Sequence, residues 1–464
     1  MLYMKAQNFF IETFGCQMNL HDSEKIAGLL AQRGMVPVPS AEAADLFLLN
    51  TCSVREKAVQ KVYSRLGELK KRKSSDPNFL IGVVGCVAQQ EGEDMVSKAP
   101  FVDLVVGTHM IHALPDLLEE IQESHRPSPR VSTEFLPDRS PVEISEVARQ
   151  SPFRANITIM EGCNKHCSFC IVPHTRGKER NRPASLILEE IRRAVDQGYV
   201  EVLLLGQTVN SYRDPGTPRL RFAELLSQAA RIPGVKRLRF TSPHPREFRE
   251  STLGVMAEME NICNQVHLPL QSGSTAVLKR MRRHYSREEY LHLVDRFRNC
   301  GRDMALSTDI IVGFPGETSE DFEQTLSLVK EVQFESMFSF KYSPRPFTEA
   351  HSWGEDVPED EKRQRLMALQ SLQREIQLRI HCEKYLGRDF EVLVEGTARD
   401  GVQRFGRTTS NKIVNFPGEE KPGTLTQVRI AQIGPNSLCG QRLEQIQPNC
   451  LEEEAWNANL RSKV

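Results

Sequence analysis

From Phe9 to about Leu118 short apolar runs alternate with amphipathic stretches. FFIET, LFLLN, FLIGVVG and DLVVG read as strands, and DSEKIAGLLAQRG, REKAVQKVYSRLGELKKR and EGEDMVSKA as helices. Alternating β and α units predict a parallel sheet with helices on its faces. Between about 123 and 152 the period is lost and Pro, Ser and charge accumulate, which marks a linker. A second series follows, with strands near Asn156–Met160, Glu201–Leu205, Arg237–Phe240, Gln265–Leu270, Met304–Val312 and Ser336–Tyr342. Helices such as Leu186–Gln197, Phe222–Ala230, Arg287–Asn299 and Ser319–Val332 separate them. Six strands rather than eight predict a partial, open TIM-like (β/α)6 barrel, with its chemistry at the C-terminal strand ends. After Pro358, Leu366, Leu369, Leu372, Ile376 and Ile380 share one helical face, which is expected to pack back on that barrel. From Gly387 to Gln445 the runs DFEVLVEG, GVQRFGRTT, KIVNFPG, TLTQVRIAQIG and SLCGQRLE predict a small all-β, OB-like barrel. The closing LEEEAWNANLRSKV has little to bury and is expected to fray.

The expected division is an α/β domain over 7–122, a linker over 123–148, the partial barrel over 149–380, the β-barrel over 381–446 and a tail over 447–464. A chain of 464 residues is long enough for several such cores. Its 60 Lys and Arg against 61 Asp and Glu leave a formal charge of −1, so any surface for RNA must be a local patch. The opening MLYMKAQNFFIETFGC lacks an apolar core followed by a cleavage site, and no apolar run approaches the roughly 20 residues of a membrane span. The expectation is a soluble, cytoplasmic protein with no membrane partner. Eleven cysteines, an odd number, fit thiolate ligands in a reducing compartment better than a disulfide framework.

Six of those cysteines form two constellations. Cys163, Cys167 and Cys170 in EGCNKHCSFC crowd three thiols into eight positions directly after NITIME, the first barrel strand. Three thiolates can hold three irons of a [4Fe-4S] cluster and leave the fourth open to chelate a small molecule. A zinc knuckle is the alternative, although C-x3-C-x2-C does not match common zinc spacings. His166 lies between two of these cysteines and is expected to be exposed or to orient the loop. Cys16, Cys52 and Cys86 each lie just beyond a strand of the first domain, after FFIETFG, LFLLNT and FLIGVVG. If those strands are neighbours, the thiols converge in the crevice where an open α/β sheet binds ligands. Three converging thiolates again suit a cluster with one free iron; three buried free cysteines are the alternative. Cys263, Cys300, Cys382, Cys439 and Cys450 have no such register.

C-x3-C-x2-C resembles the signature of the radical S-adenosylmethionine (SAM) superfamily. ETFGCQMNLHDSE, NTCSVREKAVQKVYSRLG, GCVAQQ, MEGCNKHCSFCIVPHTRGKERNR, LLLGQTVNSY, TSPHP, HLPLQSGS and STDIIVGFPGET together resemble the methylthiotransferase family within it. The resemblance spans nearly the whole chain, and the terminal barrel is similar to the family's TRAM domain, an RNA-binding module. Gln17, Met18 and Asn19 after Cys16, and Ser53, Val54, Arg55, Glu56 and Lys57 after Cys52, are most similar to the branch acting on a prenylated tRNA adenosine. The branches that modify a ribosomal-protein aspartate or threonylcarbamoyl-adenosine carry other residues there.

The resemblance implies two [4Fe-4S] clusters and SAM as cofactors. One SAM would bind at the Cys163/Cys167/Cys170 cluster and be cleaved to a 5′-deoxyadenosyl radical. Another would methylate a sulfur on the open iron of the Cys16/Cys52/Cys86 cluster, and the methylthio group would pass to C2 of the N6-isopentenylated adenine beside the anticodon. Whether that sulfur is external or comes from the cluster stays open. Electrons would come from a flavodoxin or ferredoxin-type donor, and the chain is expected to be a monomer. Phe169, Gly206, Gln207, Ser242, Gln271 and Gly313 lie where radical SAM barrels surround the cofactor, and each could equally be a strand-end packing residue. For the tRNA anticodon stem-loop, Arg176, Lys178, Arg180 and Arg182 adjoin the presumed site. Lys279, Arg280, Arg282 and Arg283 form another basic run, whereas Lys70–Lys73 reads as a solvated helix face. Arg404, Phe405 and Arg407 in the terminal barrel alternate like a backbone-and-stacking face. Two rival readings are methylthiolation of a ribosomal-protein aspartate and a non-catalytic iron–sulfur RNA sensor.

Overall fold

The computed structural model describes residues 6–53, 56–123, 128–136, 147–216 and 219–443. The 447–464 tail, the last residues of the 381–446 segment, Cys450, Val54, Arg55 and part of the 123–148 linker lie outside them. The chain forms two compact units, Met1–Gln373 and Arg374–Val464.

The first unit opens with six parallel strands: β1 (Asn8–Phe14), β2 (Val36–Pro37), β3 (Leu46–Thr51), β4 (Leu80–Gly85), β5 (Leu104–Val106) and β6 (Arg130–Ser132). They lie in the order β2-β1-β3-β4-β5-β6. The central strands are apolar at every other position on both sides, as burial on two faces requires. Leu46, Leu48, Leu80 and Val84 pack against Ile26 and Leu30 of α1 (Gln17–Gln32) and Leu114, Leu118 and Ile121. Phe47, Leu49, Ile81 and Val83 face Val62, Leu66 and Leu69 of α2 (Glu56–Ser75) on the other side. Two departures from the sequence reading bear on the site. α1 begins at Gln17, directly after Cys16. The segment read as linker also contributes β6, paired in parallel with β5.

The same unit contains β7 (Arg154–Thr158), β8 (Met160–Glu161), β9 (Arg180–Asn181), β10 (Glu201–Leu205), β11 (Arg237–Phe240), β12 (Gln265–His267), β13 (Ala305–Val312) and β14 (Ser336–Lys341). Parallel triplets β11-β10-β7 and β12-β13-β14 are joined by a bridge between Leu238 and Ile262, giving an open partial barrel. On the helix Glu359–Ile380, within the first unit, Leu369 is buried as expected and Leu366 and Leu372 are half-buried, but Lys362, Arg365 and Gln373 are buried too. Arg365 is committed to Glu317, 2.6 Å away, and Gln373 donates to the Phe334 carbonyl.

The second unit is a closed barrel of β15 (Asp389–Thr397), β16 (Arg404–Arg407), β17 (Ile413–Phe416), β18 (Leu425–Ile433) and β19 (Leu438–Arg442), in the order β15-β16-β17-β19-β18. Val392, Val394, Val414, Phe416, Val428, Ile430 and Leu438 fill it. Closure removes the free edges that strands of this length would otherwise expose.

Candidate functional site

Strand register brings the first three thiols together. Phe14 of β1 pairs with Thr51 of β3, and Thr51 with Gly85 of β4, so three neighbouring strands end level. Cys16, Cys52 and Cys86 follow those ends within one or two residues. Cys16 caps α1 at the opening of the crevice, while Cys52 and Cys86 are buried. Cys86 opens the short helix α3 (Cys86–Glu91). The Cys16 and Cys52 thiols hydrogen-bond each other; that bond and the nearby Arg176 charge bring the Cys16 pKa down to about 6. Burial pushes the Cys86 thiol up, against the pull of Arg176.

A buried amide lock holds this arrangement. Asn19 Oδ1 lies 3.4 Å from Cys16 Sγ, Asn19 Nδ2 donates to Asn50 Oδ1 (3.1 Å), and Asn50 Nδ2 returns to the Asn19 carbonyl (2.8 Å). Gly85 has φ +85°, and a Cβ there would strike Asn50 Oδ1, so this strand end needs glycine.

The second three thiols come from a loop between β8 and the helical turn α4 (Val172–Arg176). The Cys163 N–H donates to the Gly177 carbonyl and that of Cys170 to the Cys167 carbonyl, both at 3.1 Å. Polar groups face the sulfurs: the Lys165 N–H (3.3 Å) and Thr208 Oγ1 (3.4 Å) at Cys163, and Arg283 Nη1 (3.4 Å) at Cys167. Arg283 is itself fixed by the Pro269 carbonyl and the Tyr285 hydroxyl, each at 3.1 Å. Burial and the neighbouring Cys167 push the Cys170 thiol up to about 12. His166 is exposed.

Arg176 and α1 tie the two groups. Buried Arg176 donates from Nε to Cys86 Sγ (3.3 Å) and from Nη2 to Asp22 Oδ2 of α1 (2.6 Å). One turn along, Lys25 pairs with Glu161 (3.2 Å), two residues before Cys163. A helix face carrying buried His21, Asp22, Glu24 and Lys25 thus docks the sheet on the barrel through ion pairs. Removing one partner of such a buried pair strands the other charge. Arg176 is therefore not a solvent-facing RNA contact: its 4% exposure and its two partners commit it to the interior. The signal was available in sequence only as an acidic residue at the start of a helix following Cys16.

The other candidates fall as follows. Ser242 and Gln271 adopt left-handed backbone (φ +55° and +76°) and Gly313 has φ +70°, each just past a barrel strand end. Non-glycine residues hold that conformation only at a cost of about 1–3 kcal/mol, a cost met most often at ligand sites. A Cβ on Gly206 would meet Met160 at 2.5 Å, so close packing requires glycine there. The Phe169 ring packs edge-on to Phe314 at 6.3 Å. Lys178 is exposed. Arg180 is half-buried and engaged with Glu161 (3.4 Å) and His109 (3.1 Å). Arg182 is bound to Glu190. In the terminal barrel Phe405 and Arg407 share one face of β16 by alternation, and Arg404, half-buried like them, donates to the Thr397 hydroxyl (2.6 Å). Lys73 is paired with Asp103 at 2.8 Å, a structural role.

Among the described residues no three Cys, His, Asp or Glu side chains stand close enough to hold a single metal ion. The larger group that the thiols suggest can be tested on buried atoms. Thr51 Oγ1 and Ser53 Oγ flank Cys52, and Gln207 Oε1 adjoins Thr208; all are buried with no hydrogen-bond partner among the described residues. Both tripods thus border unsatisfied polar atoms as well as sulfur-facing donors, the surroundings that tune iron–sulfur clusters. The residues fit such groups.

Family models agree with this layout. The model described as Uncharacterized protein family UPF0004 matches residues 8–107, the Radical SAM superfamily residues 157–329 and the TRAM domain residues 383–443. The fold resembles the radical SAM methyltransferase TsrM from Kitasatospora setae, solved with tryptophan and a SAM analogue. The TM-score is 0.54 at 16% identity, covering 74% of this chain and 75% of that one, a likeness of fold alone. Together these define a radical SAM protein, a class whose cofactors are SAM and a [4Fe-4S] cluster, with an N-terminal parallel-sheet domain and a C-terminal TRAM barrel. Full-length relatives narrow the class. The tRNA-2-methylthio-N(6)-dimethylallyladenosine synthase of Solibacter usitatus is 47% identical over 94% of this chain and 98% of its own. That of Aquifex aeolicus is 43% identical over 95% and 100%. The chain belongs to the tRNA-2-methylthio-N(6)-dimethylallyladenosine synthase family.

Proposed function

We propose that the chain is a radical SAM tRNA methylthiotransferase that places a methylthio group on C2 of N6-dimethylallyladenosine next to the anticodon. The observation that carries this reading is two sets of three thiols within one compact unit, with Arg176, six residues after Cys170, donating to Cys86. In this reading Cys163, Cys167 and Cys170 hold the [4Fe-4S] cluster that engages SAM, and Cys16, Cys52 and Cys86 hold a second one. When bound, these cofactors would relay the donor's electron, supply the SAM-derived groups and present the sulfur that replacement of an unactivated aromatic C–H bond requires.

The chain's own residues fix and insulate. Asn19 and Asn50 set the direction of Cys16, and Arg176 offers Cys86 a charged hydrogen bond inside a buried wall. Lys165, Thr208 and Arg283 present donors to the loop sulfurs, stabilising negative charge there. Gly206, Gln207, Ser242, Gln271, Gly313 and the backbone of Phe169 line the SAM site, with Gln207 Oε1 free to meet a polar ligand group. Lys178, Arg180, Phe405 and Arg407 contact RNA. The work divides among 7–122 for the second cluster, 149–380 for SAM and 381–446 for RNA. The enzyme acts as a cytoplasmic monomer and draws electrons from a flavodoxin or ferredoxin-type protein; no described helix is long and apolar enough to cross a membrane.

Mass spectrometry of tRNA nucleosides from a strain lacking the gene tests this reading. 2-Methylthio-N6-isopentenyladenosine should vanish, its unmethylthiolated precursor should accumulate, and the intact gene should restore the pattern. Unchanged 2-methylthio-N6-isopentenyladenosine would remove the proposal.

A further inference from the structure

Behind the loop that carries Cys167, a cleft of about 350 Å³ opens among Lys279, Arg280, Arg282 and Trp353. Its wall is built rather than incidental. The Arg280 guanidinium lies 5.3 Å from the Trp353 ring centre, and its Nε donates to the Pro315 carbonyl (3.0 Å). A Cβ on Gly316 would meet that guanidinium at 2.7 Å, so glycine leaves the space in which Arg280 lies flat. Asp356 fixes the Gly316 N–H at 2.9 Å. Trp353 is 38% exposed, and Lys279 and Arg282 are exposed as well. Glu349 pairs with Arg282 at 2.7 Å, an exposed pair that a stronger anion displaces at little cost. The cleft is also tied to the chemistry: Ser168, next to Cys167, donates to the Arg280 carbonyl (2.8 Å) and accepts from Ala350 N–H (2.8 Å).

We infer that this cleft is a nucleotide subsite, taking an unpaired nucleotide of the RNA that flanks the target adenine. It rests on the tRNA reading above. The base stacks on the Trp353–Arg280 layer, and the phosphate is met by Lys279 and Arg282. Unstacked loop bases are recognised in this way, on indole and guanidinium planes with cations along the backbone. An acidic electron-donor protein would meet the same cations. A concave space walled by a half-exposed indole and an immobilised arginine suits insertion of a planar group better than apposition of a protein surface.

The test is fluorescence anisotropy of the cluster-loaded enzyme with a labelled anticodon stem-loop bearing N6-dimethylallyladenosine, across a salt series. Trp353→Ala should weaken binding about tenfold or more, and Trp353→Phe should restore most of it. The double variant Lys279→Ala, Arg282→Ala should flatten the slope of log affinity against log salt by about 0.7 for each lost phosphate contact. Iron content should match wild type in every variant, and the unfolding midpoint should match in the double variant, whose two side chains are exposed, and in Trp353→Phe, which keeps a ring against Phe314. Wild-type affinity and slope in the variants would overturn the inference while leaving the tRNA reading intact. Normal RNA binding with turnover lost under reduced flavodoxin but kept under dithionite would overturn it in favour of a donor-docking site. Failure of the wild-type enzyme to bind the stem-loop would overturn both.

Discussion

The two thiol tripods are built on opposite principles. Cys163, Cys167 and Cys170 are neighbours in sequence, and one loop with two backbone hydrogen bonds gives them their shape. Cys16, Cys52 and Cys86 owe their proximity to the level ends of three strands, to a glycine in left-handed backbone and to a buried pair of asparagines. The first is a local motif supported from outside by Arg283 and Thr208. The second exists only when the whole sheet is in register. It follows that damage to the sheet should cost the strand-end tripod before the loop tripod, and that the two should be separable by mutation.

The largest effect should come from the thiols themselves. Cys163→Ala should abolish formation of 5′-deoxyadenosine from SAM under dithionite. Cys52→Ala should keep that cleavage but lose methylthio transfer to RNA, both read by liquid chromatography with mass detection. Methylthio product from Cys52→Ala would erase the division between the tripods.

Next is the bridge between them. Arg176→Leu leaves Asp22 buried and uncompensated, and should lower the unfolding free energy of the metal-free chain by about 3–5 kcal/mol in urea titrations. Adding Asp22→Asn should recover much of that loss, because the stranded charge goes with it. A loss below about 1 kcal/mol would mean the pair contributes no more than a surface contact.

Gly85→Ala sharpens the contrast at lower cost. Left-handed backbone and the clash with Asn50 should together destabilise by about 1–3 kcal/mol and deplete iron from the strand-end tripod, while reductive SAM cleavage continues. Gly67→Ala in α2 is the control: open space surrounds that position, and alanine should stabilise the helix by about 0.5–1 kcal/mol.

The remaining effect is one of pH. His244 is held neutral beside the loop tripod, since its Nδ1 accepts the Arg246 N–H and burial, together with the Arg283 charge, brings its pKa down to about 2. The unfolded chain binds a proton at this histidine below about pH 6.5 and the folded chain does not. Its contribution is therefore complete above pH 6.5 and declines on acidification, by at most about 1.4 kcal/mol per pH unit. His244→Gln should remove that part of the slope between pH 6.5 and 5, measured by urea titration of the metal-free protein.

What the sequence discloses follows the same line between local and distributed. Glu201–Leu205 and Arg237–Phe240 are strands to the residue, the first a short, sharply bounded apolar run and the second a strict alternation of arginine with Leu238 and Phe240. The C-x3-C-x2-C loop and the three strand-end cysteines are visible as spacing and position. Arg176 is not: its text, a basic run after the loop, reads as a surface, and only the docking of α1 turns it inward. β6 is hidden because three residues, Arg130–Ser132, carry too little period to register. The left-handed backbone at Ser242 and Gln271 leaves no trace in residue type, because nothing in serine or glutamine signals positive φ. Lys73 and Arg404 look alike in composition, and their partners, Asp103 and the Thr397 hydroxyl, appear only with the fold.

The central claim is that two tripods hold two separate clusters with different work. Iron and sulfide analysis of the anaerobically reconstituted triple variant Cys16→Ala, Cys52→Ala, Cys86→Ala, beside wild type, tests it most directly. Wild type should hold about eight irons per chain and the variant about four, with 5′-deoxyadenosine still formed and no methylthiolated RNA. About eight irons in the variant, or the loss of all iron together with SAM cleavage, would contradict the claim.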